Sequence, residues 1–152
     1  MMTTPVNITS PNWIAASPFK AGEVWLSGDK GIAHSTDYGM TWTALDMITT
    51  AWRISIGKSQ QPNGPPVVYA AGTIQGMNAL YRTDDGGVNW IMLSDRDHGF
   101  GSTNGLVVAA DPRIYKRYVV CILENCASIL TYGHSVYVGT NGRGIFYTAD
   151  AW

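Results

Sequence analysis

An all-β fold is predicted by three observations on this 152-residue sequence. Charged residues make up 14% of it, against 45% hydrophobic and 11% aromatic residues, and ordinary globular chains carry roughly one quarter charged. Short β-branched and aromatic runs such as Val24-Trp25, Val67-Val68-Tyr69, Val136-Tyr137 and Ile145-Phe146-Tyr147 suit a half-buried pleated surface. Glycines at 28, 31, 72, 142 and 144 punctuate these runs, so they read as short hairpins in series.

The hairpins repeat. The first unit comprises Glu23–Leu26, Gly31–His34 and Ser35–Trp42. Its second copy is Val67–Ala70, Ala79–Arg82 and Thr83–Trp90, and the third is Ser135–Val138, Gly144–Tyr147 and Thr148–Trp152. The first two copies share Ser/Thr-x-Asp-x-Gly-x-Thr/Asn-Trp, carried by Ser35, Asp37, Gly39 and Trp42 and by Thr83, Asp85, Gly87 and Trp90. Each position has a physical role. The carboxylate accepts bonds from turn amides, the glycine takes a positive φ, and the tryptophan packs back on its own sheet as a core residue. This pattern is the Asp-box, a turn found in β-propeller blades. A blade is a four-stranded sheet, and a closed ring needs roughly four to eight of them. Asp37 and Asp85 lie 48 residues apart, which suits one blade. Residues 1–152 are therefore expected to form an incomplete β-propeller of about three blades, with Asp-boxes near 35–42 and 83–90 and a degenerate one at 148–152.

One blade is too long. Asp85 to Asp150 spans 65 residues rather than 48. Ala15-Ala16-Ser17-Pro18 precedes Val24 by six residues from the proline, whereas the matching Ala109-Ala110-Asp111-Pro112 precedes Val136 by 24, an excess of 18. Removing residues 118–135 restores the six-residue spacing and brings Asp85 to Asp150 to 47, and it also removes Cys121 and Cys126, the only cysteines. Two readings of this insert stand. Its 18 codons are 54 nucleotides, the length of a small fungal-type intron retained in frame, and the residues at its ends and middle permit donor, acceptor and branch sequences. The other reading is a genuine surface hairpin, which loops tolerate well.

With the repeats laid out, the chain resembles the C-terminal end of family 74 glycoside hydrolases, the xyloglucan-cleaving endoglucanases and oligoxyloglucan reducing-end-specific cellobiohydrolases. The resemblance is carried by residues 21–39, 69–76, 80–90, 111–115 and 136–147, and it covers nearly everything from Trp13 to Trp152 except the insert. Asp-boxes alone also fit sialidases and sortilin-like receptors. Asp111-Pro112-Arg113 together with Gly139-Thr-Asn-Gly-Arg-Gly-Ile-Phe-Tyr147 narrows the choice. The resemblance implies two seven-bladed propellers facing each other across a xyloglucan-binding cleft, hydrolysis with inversion by two aspartates, and secretion. Inverting chemistry sets an acid and a base roughly 6.5–9.5 Å apart, leaving room for water. In the family, one such aspartate lies in the first propeller and the other early in the second, and neither region is represented here. No catalytic residue is therefore expected in this chain, which reads as inactive alone, with the missing N-terminal blades as its partners. The alternative is a non-catalytic carbohydrate-binding or interaction module.

The remaining acids fit turns. Asp37 and Asp85 belong to the Asp-boxes, Asp111 precedes a proline as Ser17 does, and Asp95 and Asp97 flank Arg96, their expected ion partner. Substrate-binding candidates are aromatic or glycine-flanked. Trp52, His98 and Phe100 could stack on sugar rings from exposed positions, although Trp52 precedes the strand-like Arg53-Ile-Ser-Ile and also reads as core. His34, His98 and His134 are dispersed, so no metal site is expected. No cofactor motif appears. A net charge of −1 without a basic stripe makes nucleic acid and anionic membrane poor partners. No apolar run approaches a membrane span, and residues 1–20 lack the apolar stretch of a secretion signal. Asn7-Ile8-Thr9 matches the N-glycosylation acceptor. Open sheet edges would favour aggregation of the isolated chain.

Overall fold

The computed structural model describes residues 5, 7–93, 106–116, 118–122, 136–140 and 144–148. Among them there is no helix, and strands form three four-stranded sheets. The first sheet runs β1 (Pro11–Ala16), β2 (Val24–Gly28), β3 (Gly31–Ser35) and β4 (Thr43–Leu45) in chain order. The second runs β5 (Ile48–Gly57), β6 (Val67–Ile74), β7 (Met77–Thr83) and β8 (Ile91–Met92) in the same way. All neighbours in both sheets are antiparallel. These are propeller blades, and each Asp-box fills the connection between the third and fourth strands.

Strand alternation decides which face meets which blade. On β2 and β3, Trp25 and Ile32 point toward the second sheet and join a core with Ile48, Ile54, Val68, Ala70 and Tyr81. Leu26 and Ala33 point the other way and pack with Ile8. The central strand β6 is buried on both faces. Its Val68 and Ala70 face the first sheet, while Val67, Tyr69 and Ala71 join Leu80 and Val108 toward the third. That explains the unbroken apolar run 67–71, which a one-sided strand would interrupt with polar residues. Trp25 and Tyr69 are fully buried, and each large apolar side chain taken out of water contributes roughly 1.5–3 kcal/mol.

The first strands of the three sheets lie side by side. The Asn12 side-chain amide donates to the Ala51 carbonyl at 2.9 Å, linking β1 to β5. The Ala110 amide donates to Ser55 Oγ at 2.9 Å, linking β5 to β9 (Leu106–Ala110). Tyr115 adds a third stitch, its hydroxyl donating to Asp84 Oδ2 at 3.1 Å.

The third sheet departs from this plan. Its order is β12-β11-β10-β9, with β10 (Tyr118–Ile122), β11 (Val136–Thr140) and β12 (Gly144–Thr148). Strand β10 opens the stretch 118–135, and it occupies the place beside the innermost strand that β2 and β6 hold in the other blades. It pairs antiparallel with β9 and parallel with β11. Strand β10 thus brings the one parallel pairing among the described residues.

Candidate functional site

The two Asp-boxes are built alike. Ser35 Oγ donates to Asp37 Oδ1 at 2.8 Å and accepts the Gly39 amide at 2.9 Å. Thr83 Oγ1 does the same with Asp85 Oδ1 at 2.7 Å and the Gly87 amide at 3.0 Å. The carboxylates then close the turn. Asp37 accepts the Thr41 amide at 2.8 Å and its hydroxyl at 2.6 Å. Asp85 accepts the amides of Val88 and Asn89, each at 3.0 Å, and the Asn89 side-chain amide at 2.7 Å. Gly39 and Gly87 have φ of 78° and 96°, a left-handed backbone that favours glycine. The Thr41 hydroxyl, then its amide, holds the Asp37 carboxyl down at about 2. Burial works against ionisation of Asp85, but the Asn89 amide and the Thr83 hydroxyl outweigh it and lower its pKa as well. These acids are committed to turn closure, as is Asp111, whose Oδ1 accepts the Arg113 amide at 2.7 Å.

Trp42 and Trp90 correct an expectation. Both are half-buried, packing against the edge of a core cluster rather than within it. Each stands just before the short outer strand of its blade, whose own residues are partly or wholly exposed. Trp90 remains fixed through its indole Nε1, which donates to the Gly87 carbonyl at 3.1 Å.

Trp52 sits at an irregularity in β5. The pairing register with β6 slips between Ala51 and Arg53, leaving Trp52 with no residue opposite, and such bulges re-aim side chains. It is half-buried, and its carbonyl accepts the Arg53 guanidinium at 3.0 Å. The same guanidinium lies 4.6 Å from the ring centre of Trp13 on β1, a ring that is 46% exposed. Trp13 and Arg53 thus form an aromatic and cationic patch with Trp52 adjoining in sequence. Sequence reasoning missed both residues, because their meeting depends on β1 and β5 lying together across two blades. His98 and Phe100 fall outside the described residues, as do Asp95 and Asp97.

A second locus lies between the first two blades at the Asp-box end. Phe19, Lys20, Glu23, Trp25 and His34 line it from the first blade, and residues 58–66 enclose it from the second. Its volume is about 950 Å³. Glu23 Oε1 and His34 Nε2 are 3.1 Å apart, and the His34 ring stacks on Trp25 with centroids 4.0 Å apart.

No family model matches this sequence, but individual proteins do. A xyloglucanase from Paenibacillus sp is 33% identical over 138 residues, which is 87% of this chain and 12% of that protein. The oligoxyloglucan-reducing end-specific xyloglucanase of Emericella nidulans is 33% identical over 84% of the chain and 14% of its own length. The solved family 74 glycoside hydrolase xyloglucanase from Xanthomonas campestris superposes with a TM-score of 0.65 at 33% identity, over 95% of this chain. The chain belongs to glycoside hydrolase family 74. The family 74 enzyme of Niastella koreensis agrees, with a TM-score of 0.64 at 27% identity over 89% of the chain. As a family 74 chain it is short, spanning 12–15% of the length of these curated relatives and 17% of either solved structure.

Proposed function

We propose that this chain is part of the propeller framework of a secreted xyloglucan-degrading glycoside hydrolase and does not cleave the polymer by itself. What supports the reading most is the identity of about one third to xyloglucanases across 84–93% of the chain. In this reading the whole enzyme hydrolyses the β-1,4-glucan backbone with inversion, using an acid and a base carried by blades outside the chain. The chain supplies wall and substrate contacts, with Trp52, His98 and Phe100 as the sugar-facing residues and the preceding blades as its partners. Neither a metal nor a cofactor enters the chemistry.

A second reading, a non-catalytic carbohydrate-binding module, is favoured by the engagement of Asp37, Asp85 and Asp111 in turns, which leaves them poorly placed to transfer protons. One experiment separates the two. Purified chain is incubated with xyloglucan, and both retention on the insoluble polymer and release of reducing sugar are measured. Retention without release, weakened in Trp52→Ala, is expected. Release of sugar would overturn the placement of the acids outside the chain. Catalysis that appears only on addition of the complementary blades would distinguish the framework from the module.

A further inference from the structure

The cleft between the first two blades has features that the Asp-box framework does not use. Glu23 is only 5% exposed, and its Oε1 meets His34 while its Oε2 has no hydrogen-bond partner among the described residues. Burial works against the Glu23 carboxylate, but His34 and then the Ser17 hydroxyl outweigh it and lower its pKa. The indole Nε1 of Trp25 is likewise buried with no hydrogen-bond partner among the described residues. Both residues line the cleft. A buried acceptor and a buried donor left unpaired are costly, and native structures normally satisfy such groups with protein, water or ligand.

We propose that this cleft binds a neutral polyhydroxylated ligand, a single sugar unit or polyol, at a site separate from the Trp52 patch. The chemistry of the lining selects that class by elimination. An anion would meet the buried Glu23 carboxylate. A cationic amine or guanidinium would meet Lys20 and Lys58, both of which line the cleft. A hydroxyl group does what neither ion can, donating to Glu23 Oε2 and accepting from Trp25 Nε1 or an ammonium. Gln60, Gln61 and Asn63 add side-chain amides of the same dual capacity, on a loop stiffened by Pro62, Pro65 and Pro66. Phe19, 44% exposed and also lining the cleft, offers an apolar face for the C–H side of a ring. The volume of about 950 Å³ is ample for a single sugar unit. All these residues belong to two adjoining blades.

The test uses the full chain, labelled with nitrogen-15 and titrated separately with glucose, xylose, glycerol, inorganic phosphate and guanidinium. Saturable shifts of the Trp25 indole and of residues 58–66 are expected with glucose or xylose, and not with the ions. Glycerol in place of the sugars would identify a simple diol site, and sugar alone a ring-binding one. Phe19→Ala, at an exposed position that leaves the core intact, should weaken the affinity about tenfold, and Glu23→Gln should weaken it similarly. No saturable shift up to about 50 mM sugar, preferential binding of phosphate, or affinity unchanged in both variants would overturn the proposal. The outcome is independent of the proposed enzyme framework, because polymer retention is read through Trp52→Ala and sugar binding here through Phe19→Ala.

Discussion

Ala110 pairs with Tyr118, whereas Ala16, at the equivalent place in the first blade, pairs with Val24. The repeat alignment matches Val24 with Val136, which lies 18 residues beyond Tyr118. Strand β10 therefore holds the partner position of the second strand, with β11 one place further out. Deleting residues 118–135 should let Ala110 pair with Val136 and make the third blade wholly antiparallel. The expected result is a sharper thermal transition with Tm raised by about 4 °C or more. An unchanged or lower Tm would mark the insert as a structural part of the blade. Under the retained-intron reading, the mature transcript also lacks the 54 nucleotides encoding these residues, which sequencing it from upstream of Met1 would reveal.

Thr83 is buried and both donates to Asp85 and accepts the Gly87 amide. Thr83→Val keeps the shape and removes both bonds, stranding a buried amide. Urea denaturation should show a loss of about 1–3 kcal/mol. Ser35→Ala should act in the same direction in the first blade. Full stability in both variants would mean that the hydroxyls merely decorate the turns.

Acid should loosen the first Asp-box. The Asp37 carboxyl is held at about 2 in the folded chain, against an ordinary 3.8. A pKa lowered by folding contributes stability that is present above the ordinary value and is lost as pH falls through the folded one. Asp85, lowered too, adds to the same window. The urea midpoint should therefore decline between about pH 4 and pH 2, and Asp37→Asn should flatten that decline. An equally steep decline in the variant would assign the acid sensitivity to other carboxylates.

The Arg53 guanidinium over Trp13 ties the first strands of two blades together. Exposed contacts of this kind contribute about 0.5–1 kcal/mol. A double-mutant cycle of Arg53→Met and Trp13→Leu, followed by urea denaturation, should return a coupling of that size. Zero coupling would reduce the contact to proximity.

The blades were legible in the sequence because their signals are local. Asp37, Gly39 and their counterparts Asp85 and Gly87 announce a turn whose hydrogen bonds close within a few residues, and the 48-residue spacing announces the sheet between them. The excess length before Val136 rests on the same kind of signal, since a regular period exposes its own interruption. What escaped was long-range. Arg53 meets Trp13, and Glu23 and His34 face a loop at 58–66, only because neighbouring sheets pack face to face. Trp42 and Trp90 were misplaced toward the core because the motif specifies that a tryptophan packs but not how much sheet lies over it.

The self-contained closure of the Asp-box has an evolutionary consequence. Ser35 and Asp37, like Thr83 and Asp85, find every polar partner described above within their own eight-residue motif. Duplicating or excising one such unit leaves the bonds made by these hydroxyls and carboxylates intact in the turns that remain. Gene rearrangement can therefore lengthen, shorten or interrupt the series without first inventing new turn chemistry.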